Sequence, residues 1–471
     1  MRIRTSRAPF TRPFASAKSL AIVGLGAAAL LLTGCGTDAE PAAGPPPADD
    51  AVVEEATDDG AVIGDHNFAG EELTVWFPGS DQTEMEFINN TVVPAFEEKT
   101  GADVTVTFVD WGDMSPRLNA GFAANTAPDV FGHGPAAVAD FVVNDRVVDL
   151  GPYLDTLDPE HRADLADALP GGQVNGVQYL IPLSIQGHLV VYNATDFAEA
   201  GVDLDNPPTT WNELLEIADR LTERDGSGNV TRAGLLLPTQ PIANQQSFAN
   251  LLFAHGGDLV NADGTATAFN TEAGTAALQF LHDMYVGPNA VGNMLSEDYM
   301  NLPAAQQPLA LGTASAAILN PPQAQQIFDA NPDLDLRVLQ PLAFDGSDTP
   351  AAFGGASAGL MINADSPHKD LAWEFISFVV SAENALAYAE AMGVVPVLAS
   401  AIDADFVQES PVLTAWVQAV PEFRPNPNVP GWVQVRDIMV RNIDANLHGQ
   451  VDVTEAVETM SREADEILAN N

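Results

Sequence analysis

The pattern of apolar and polar residues after residue 70 predicts strands and helices in alternation. Residues 73–77 form a short apolar run with β-branched and aromatic side chains, as in a buried strand. Residues 84–99 carry apolar side chains near helical spacing and predict a helix. The next predicted elements are a strand at residues 104–109, a helix at 113–124 and a short strand at 128–131. This β-α-β-α order predicts an α/β fold with helices on both faces of a parallel sheet.

The rest of the chain keeps the mixed pattern. Further strands are predicted at residues 179–182, 189–192 and 234–238. Amphipathic helices are predicted at residues 211–221, 271–285, 370–380 and 453–469. No segment repeats with a period of about 20 to 50 residues, which argues against solenoids and propellers.

The amino-terminal segment has the pattern of a signal peptide. The first 18 residues carry five basic and no acidic side chains, and residues 20–32 are apolar. This run is shorter than the roughly 20 residues that a membrane-spanning helix needs. It ends in LTGC at residues 32–35, which resembles the lipobox of bacterial lipoproteins. We therefore expect a signal peptide at residues 1–34, export, and a lipid anchor on Cys35 at the outer face of the cell membrane; an ordinary signal peptide with a chance cysteine is the alternative.

Residues 35–70 have a composition that does not support folding. They are rich in Pro, Ala, Gly and acidic residues and almost lack aromatic ones. Such a segment cannot bury enough apolar surface to offset its chain entropy. We expect a disordered, self-repelling spacer, although a segment without any role would have the same composition.

Length and charge restrict the folded body. About 400 residues follow the spacer, too many for one core and suited to two domains. The chain of 471 residues has a formal net charge of -47, which makes nucleic acid and anionic lipid headgroups unfavourable partners. The imbalance comes from scarce Lys and Arg as well as from abundant Asp and Glu. A saline habitat, where salt screens the self-repulsion, and an ordinary acidic exported protein both stay open.

Five segments carry motifs in a fixed order over nearly the whole body. They are YLIP at 179–182 with LVVYN at 189–193, PTTWNELL at 208–215, NTEAGTAALQFL at 270–281, LGTASAAI at 311–318, and FGGASAGL at 353–360 with SPHKDLAWEFI at 366–376. Together they resemble the extracellular solute-binding proteins of ABC importers, family 1, the sugar-binding type related to maltose-binding protein.

The resemblance implies a two-lobed periplasmic-binding-protein fold of the type II kind. Each lobe would hold a mixed sheet flanked by helices, and the lobes would close like a hinge on a solute. Lobe 1 would comprise residues 71–183 and 338–394, and lobe 2 residues 185–335 and 397–471. Two or three crossings would join them, near Pro182, Pro341 and Pro396.

The resemblance also implies a function. The protein would be a monomeric receptor without a cofactor or metal, which captures a carbohydrate and delivers it to an ABC permease. The family also includes receptors for polyamines, iron and sugar phosphates, so these solutes stay open. A surface-tethered carbohydrate hydrolase with carboxylates about 5 to 10 Å apart is the alternative from another class.

A sugar has apolar ring faces and a rim of hydroxyl groups. Its site therefore needs aromatic rings and side chains that donate and accept hydrogen bonds. Four such side chains lie at the ends of predicted strands of lobe 1, where α/β sheets bind ligands: Trp76, Asp81, Trp111 and His133. Core packing is the alternative for the two tryptophans, and an exposed loop for Asp81 and His133.

Seven further candidates lie at or beside positions where the resemblance implies ligand contacts. They are Gln186, Asn320, Phe353, Gly354, Gly355, Trp432 and Arg436. Trp432 corresponds to the family's stacking aromatic, whereas Asn320 stands where relatives often carry Trp. An ion pair is the alternative for Arg436. The two glycines would let the backbone approach a ligand closely.

Motifs of catalysis and metal binding do not fit the sequence. GASAG at residues 355–359 matches the G-x-S-x-G motif of serine hydrolases, but a predicted strand follows where that motif requires a helix. The segment from Asp225 lacks the sixth-position Gly and twelfth-position Glu of a calcium loop. The eight histidines form no H-E-x-x-H motif. We therefore expect a binding protein and no enzyme.

Overall fold

The computed structural model describes residues 67–470. The predicted signal peptide, Cys35 and all but the last four residues of the predicted spacer lie outside this range. Phe68, which the sequence places in the spacer, is buried beside Phe96, and its N–H donates to the carbonyl of Thr100 at 3.0 Å. The folded body thus begins a few residues earlier than predicted. Within the described range, no helix has the length and apolar character needed to cross a membrane.

The strands of the described residues are short. They are β1 Glu72–Pro78, β2 Asp103–Val109, β3 Val130–His133, β4 Gln173–Val174, β5 Val177–Gln178, β6 Ile181–Pro182, β7 Ile185–Gly187, β8 Leu189–Asn193, β9 Glu223–Arg224, β10 Val230–Arg232, β11 Ala316–Leu319, β12 Leu336–Val338, β13 Ala352–Ala356, β14 Gly359–Ile362 and β15 Phe423–Arg424.

The helices alternate with these strands. They are α1 Gln82–Phe87, α2 Val93–Thr100, α3 Trp111–Ala124, α4 Val138–Val143, α5 Gly151–Leu154, α6 Pro159–Asp164, α7 Ala194–Glu199, α8 Trp211–Leu221, α9 Ala243–Ala254, α10 Glu272–Tyr285, α11 Pro308–Leu311, α12 Pro321–Ala330, α13 Lys369–Val379, α14 Ala382–Met392, α15 Asp405–Glu409, α16 Pro411–Ala419, α17 Trp432–Leu447 and α18 Val453–Leu468. A π-helical turn spans Ile88–Val92, and 3-10 turns span Pro135–Ala137, Leu169–Gly172, Ala304–Gln306, Ser400–Asp403 and Val420–Glu422.

Lobe 1 contains a five-stranded mixed sheet in the order β2-β1-β3-β14-β6. β1 runs parallel to β2 and β3, and β14 runs antiparallel to β3 and β6. Successive side chains of β1 alternate between the faces of the sheet. Leu73, Val75 and Phe77 enter one apolar cluster, while Trp76 packs against a second cluster that contains Phe131. The predicted parallel β-α-β-α start and the α/β class are confirmed.

The predicted helix at residues 84–99 contains a wider turn. α1 continues through the π-helical turn into α2, and the N–H of Val93 bonds to the carbonyl of Ile88, five residues back. Pro94 has no N–H, and its ring clashes with the carbonyl four residues before it in a regular α-helix. The wider turn relieves this clash, so the chain stays helical to Thr100.

Lobe 2 contains a three-stranded antiparallel sheet in the order β11-β8-β12. Apolar clusters lie on both faces; one contains Val190 and the other Val191. The predicted strand at 234–238 lies beside β11 but forms only isolated bridges there, such as the one between Leu236 and Ala317. α8 begins as predicted, because Thr210 and Glu213 form a capping box.

Backbone hydrogen bonds between crossing segments join the two lobes. β7 pairs with β13 in antiparallel register, and Ile185 forms a further bridge with Val395. The hydroxyl groups of Ser184 and Ser357 lie 2.6 Å apart beside these strands. The crossings therefore lie at residues 183–187, 352–358 and about 395.

The packing gives lobe boundaries that differ from the expected ones. Leu339, Leu342 and Phe344 lie in the core of lobe 2, although the sequence assigns them to lobe 1. Val397 and Leu398 lie in the core of lobe 1, although the sequence assigns them to lobe 2. We therefore propose that lobe 1 comprises residues 67–183 and 357–401, and lobe 2 residues 185–355 and 411–470.

Candidate functional site

An exposed tryptophan stands at the strand ends of lobe 1. Trp111 is the first residue of α3, directly after the loop that leaves β2, and its side chain is 47% exposed. Its ring lies 6.0 Å from that of His133, at an angle of 87°. A β-carbon on Gly79 would lie 3.2 Å from the indole nitrogen of Trp111. Glycine at the end of β1 therefore leaves room for this ring.

His133 is a buried and neutral hydrogen-bonding group. Its Nδ1 accepts the N–H of Gly134 at 2.9 Å, which places the ring proton on Nε2. Nε2 lies 3.0 Å from the hydroxyl oxygen of Ser115 and can donate to it. The pKa of His133 is lowered to about 4, mainly by burial and in smaller part by the positive charge of Arg436. Arg436 belongs to α17 of lobe 2. Its effect on His133 indicates that the two lobes lie close to each other at this place.

Trp76 and Asp81 have local partners within lobe 1. The guanidinium group of Arg117 lies 4.9 Å from the ring of Trp76, which is partly buried. Asp81 is exposed and accepts the N–H of Glu84 at 3.0 Å, so it caps the start of α1. Both lie near the strand ends, as the sequence predicts, but each already performs a structural role.

The crossing strands form the floor between the lobes. Gln186 pairs with Gly355 and Gly187 with Gly354, and the side chain of Gln186 is partly exposed. A β-carbon on Gly354 would lie 2.7 Å from the ring of Phe423, so this glycine allows close packing of the chain. Gly355 has a φ of 134°, a conformation that favours glycine.

Phe353 lies beside a second buried histidine. Its partly buried ring lies 5.2 Å from that of His188. Its N–H donates to the side-chain oxygen of Asn250 at 2.6 Å, which ties the crossing to α9. Burial lowers the pKa of His188 to about 4. This part of the floor is therefore uncharged.

The predicted residues of lobe 2 lie in different surroundings. Trp432 is fully buried in the lobe 2 core, and among the described residues its indole N–H meets no acceptor. Arg436 is largely buried and donates to Asp437 at 2.9 Å. Asn320 is partly buried at the start of α12. Stacking of a ligand on Trp432 stays a prediction, because the ring is covered in this structure.

Two buried amides of α9 were missed by the sequence analysis. Asn244 donates to the carbonyl of Val440 at 3.1 Å, and Gln245 donates to the side-chain oxygen of Asn426 at 3.0 Å. Within residues 67–470, the amide oxygens of both side chains are buried without a hydrogen-bond partner. Unpaired buried polar atoms are costly, and a bound polar molecule would satisfy them. The only signal in the sequence is a polar run inside an apolar helix.

Strained backbone precedes these amides. Ile242, just before α9, has a φ of 72°. A branched side chain disfavours this conformation, and such strain is concentrated at functional sites.

A cavity of about 550 Å³ lies between the lobes. Its lobe 1 wall includes Pro135, Pro170 and Gly171, and its lobe 2 wall includes Phe253 and Asn426. None of the predicted site residues lines it. Asn426 connects the cavity to the buried amides of α9, because it lines the cavity and also accepts the hydrogen bond from Gln245. On the lobe 1 side, Pro135 of the cavity wall follows His133 by two residues, so the cavity begins close along the chain to the Trp111–His133 pair.

The surroundings of Ser357 do not fit a nucleophile. β14 follows directly at Gly359, where the serine-hydrolase motif requires a helix. The Ser357 hydroxyl bonds to that of Ser184, which connects two crossing segments. Among the described residues, no group of three or more His, Cys, Asp or Glu side chains could hold a metal ion.

Curated relatives share most of the chain. A putative binding protein of Brucella abortus is 24% identical over 382 residues, covering 80% of this chain and 89% of that protein. The diacetylchitobiose binding protein DasA of Streptomyces coelicolor is 24% identical over 383 residues, covering 80% of this chain and 81% of that protein. The chain is therefore similar to binding proteins over nearly its whole folded body.

Solved structures share the fold, and a family model matches more than half of the chain. An ABC transporter solute binding protein from Thermotoga lettingae, bound with alpha-D-tagatose, has a TM-score of 0.71 at 24% identity and covers 84% of this chain and 100% of that one. The GacH receptor of Streptomyces glaucescens has a TM-score of 0.71 at 22% identity, covering 84% and 98%. The model of the bacterial extracellular solute-binding proteins matches residues 91–415. The chain belongs to the bacterial extracellular solute-binding protein family.

Proposed function

We propose that this protein is a lipid-anchored receptor that captures a carbohydrate between its lobes and delivers it to an ABC permease. The observation that carries the proposal is the half-exposed ring of Trp111 beside neutral His133, on the side of lobe 1 that faces Arg436. An aromatic face can stack on the apolar face of a sugar ring. The adjoining polar groups can bind its hydroxyl groups.

The chemistry of the interlobe gap favours a neutral, polyhydroxylated solute. His133 and His188 are uncharged, and Arg436 is paired with Asp437. Gln245 donates to Asn426 at the cavity wall, and its unpaired amide oxygen requires a donor, which a sugar hydroxyl group supplies. Diacetylchitobiose, in the name of the Streptomyces coelicolor relative, supports the same class of solute.

Binding without turnover fits these surroundings better than hydrolysis. A glycosidase needs two carboxyl groups that flank the reacting bond. The side chains described for the candidate site are mainly aromatic rings, imidazoles and amides. The motif that suggested a nucleophile, around Ser357, serves the connection between the lobes.

A thermal-shift screen of the full chain would test the solute. We would compare mono- and oligosaccharides with polyamines, sugar phosphates and ferric salts, since a ligand of the folded state raises the unfolding midpoint. A saturable shift with one saccharide class, lost in Trp111→Ala, would support the proposal. A shift only with a cation or a phosphate ester would keep the receptor role and overturn the carbohydrate.

The anchor requires its own experiment. Labelling of producing cells with radioactive palmitate should give a labelled protein in the membrane fraction. Cys35→Ser should remove the label and release the protein. A labelled Cys35→Ser variant, or an unlabelled parent, would contradict the lipid anchor and leave the binding function untouched.

A further inference from the structure

A short segment of lobe 2 contacts lobe 1 directly. We refer to residues 426–433, which connect β15 to the first turn of α17, as the bridging segment. Asn428 in this segment accepts the N–H of Ala139 at 2.8 Å and donates to the carbonyl of Gln173 at 2.9 Å. Both partners belong to lobe 1. The bridging segment is therefore fixed to the opposite lobe by its polar groups.

α17 begins without a capping side chain of its own. Its N-cap residue is Gly431, with a φ of 80°, which has no side chain to accept the first free N–H groups. These groups need acceptors, and the start of a helix favours a negative charge. Asp140 from α4 of lobe 1 supplies both the hydrogen-bond acceptor and the negative charge. Its carboxylate accepts the N–H of Gly431 at 2.5 Å and also that of Val433.

The next helix, α18, is capped by a residue of its own lobe, in contrast to α17. α18 has the same length of 16 residues, and its N-cap residue is Asp452, whose carboxylate accepts the N–H of Glu455 at 2.8 Å. That cap lies within lobe 2 and does not depend on the position of lobe 1. The cap of α17 is completed only when α4 lies against the bridging segment.

α17 carries two of the candidate ligand residues in its first two turns. Trp432 is its first residue, and Arg436 follows one turn later. A carboxylate that fixes this end of the helix therefore also fixes the position of both side chains. Hinge motion of one lobe would separate Asp140 from the helix, because the two lie in different lobes.

We propose that Asp140 is a positioning residue that caps α17 across the gap, so that closure of the lobes and alignment of Trp432 and Arg436 occur together. This proposal rests on the proposed receptor function, of which it specifies the closing step. Closure forms the two hydrogen bonds of the helix cap before any contact with a solute is counted. Burial raises the pKa of Asp140 and these two bonds oppose the rise, so the cap favours the closed arrangement by the part of its free energy that exceeds the cost of burying the carboxylate.

The closing equilibrium can be measured in the full chain without a ligand. The parent for labelling is Cys35→Ser, with Glu98→Cys on lobe 1 and Leu311→Cys on lobe 2; both positions are exposed. Spin labels on the two cysteines report the interlobe distance by double electron–electron resonance. We define the closed population as the molecules with the interlobe distance of the present structure, in which Asp140 caps α17.

We would compare Asp140→Ala and Asp140→Asn with Asp452→Ala as the matched control. Asp140→Ala should lower the ratio of closed to open molecules about fivefold, as expected for the loss of one helix cap. Asp140→Asn should have a smaller effect of the same sign, because its amide oxygen still accepts a hydrogen bond. Asp452→Ala should lower the unfolding midpoint and leave the ratio unchanged.

Three results would overturn the proposal. They are an unchanged ratio in Asp140→Ala, an equal change in Asp452→Ala, and a parent without a closed population. If Asp140→Ala does not fold, Asp140→Asn decides by the same criterion. Because the measurement uses no solute, an error about the carbohydrate leaves its outcome unaffected.

Discussion

The hydroxyl group of Tyr388 donates a hydrogen bond of 2.7 Å to a carboxylate oxygen of Glu84, and this bond joins α14 to α1 in lobe 1. Burial raises the pKa of Glu84 from its ordinary value of 4.5 to about 7. The hydrogen bond from Tyr388 opposes the rise, and the negative charge of Asp81 adds to it. The folded state therefore holds this proton more tightly than the unfolded state.

We expect Glu84→Gln to be more stable than the parent at pH 8 by about 1 to 3 kcal/mol, the order given by the raised pKa. The stability that protonated Glu84 contributes is complete below pH 4.5 and is lost as the pH rises through 7. The stability of the variant relative to the parent should therefore increase as the pH rises from 4.5 through 7. Urea unfolding at pH 4, 6 and 8 measures the difference. Glu98→Gln, at an exposed position of α2, is the matched control.

His133 should give a pH dependence of the opposite sign. Its pKa is about 4 in the folded state against an ordinary 6.5, so its contribution is complete above pH 6.5 and is lost as the pH falls toward 4. Relative to His133→Gln, the parent should lose about 1 to 3 kcal/mol of stability between pH 7 and pH 4.5. If the free energy of unfolding changes equally with pH in the parent and in His133→Gln, the imidazole is not buried in its neutral form. The exposed His448 provides the control His448→Gln.

Two tryptophans should separate binding from stability. Trp111 is 47% exposed, so Trp111→Ala should change the free energy of unfolding by less than about 1 kcal/mol. It should weaken solute binding at least about tenfold, measured by titration calorimetry, if the ring stacks on the solute. Trp416 is fully buried and donates to the carbonyl of Gly187 at 2.7 Å. Trp416→Ala should cost about 3 to 5 kcal/mol of stability. Unchanged solute affinity in Trp111→Ala would exclude the stacking role.

Local signals in the sequence predicted individual elements well. The predicted helix at 211–221 has the observed bounds of α8, because Thr210 and Glu213 form a capping box that depends on neighbouring residues alone. β1 and β2 were predicted to within a residue at each end, because alternation in apolar runs marks buried strands.

The crossings could not be predicted in the same way. Leu339 and Leu342 are apolar in any arrangement, and only the tertiary structure shows that they pack in lobe 2. An apolar segment joins one lobe or the other according to its contacts with residues that are distant in the sequence. The expected crossing near Pro341 therefore differs from the observed one at β13.

In the candidate site, too, some features follow from neighbouring residues and others only from tertiary contacts. Trp111 lies at a strand end and is exposed, as ligand stacking requires, and that role stays a prediction; an aspartate in a similar position, Asp81, caps a helix. Amides in a helix usually face solvent, so the polar run that contains Asn244 and Gln245 did not by itself indicate that these side chains are buried. Asp140 lies on α4, in the opposite lobe and almost 300 residues before the helix that it caps, so its role is visible only in the structure.

The indole N–H of Trp432 provides a final prediction. This buried donor has no acceptor among the described residues, which costs about 1 to 3 kcal/mol, and replacement by Phe removes it. The smaller ring also leaves a cavity, which opposes that gain. We therefore expect Trp432→Phe to change the free energy of unfolding by less than about 1 kcal/mol without solute. If a solute oxygen accepts this N–H, its affinity should fall about tenfold, measured by calorimetry.

Trp211 is the matched control for this experiment. It is also fully buried in the lobe 2 core, and its indole N–H also has no acceptor within residues 67–470. Trp211 packs against Phe280 and Phe344, whereas Trp432 begins the helix that faces lobe 1. Trp211→Phe should therefore give a similar change in stability and leave the affinity for the solute unchanged. Equal losses of affinity in both variants would mean that the Trp432 N–H does not meet the solute, since a general loosening of lobe 2 would then explain both.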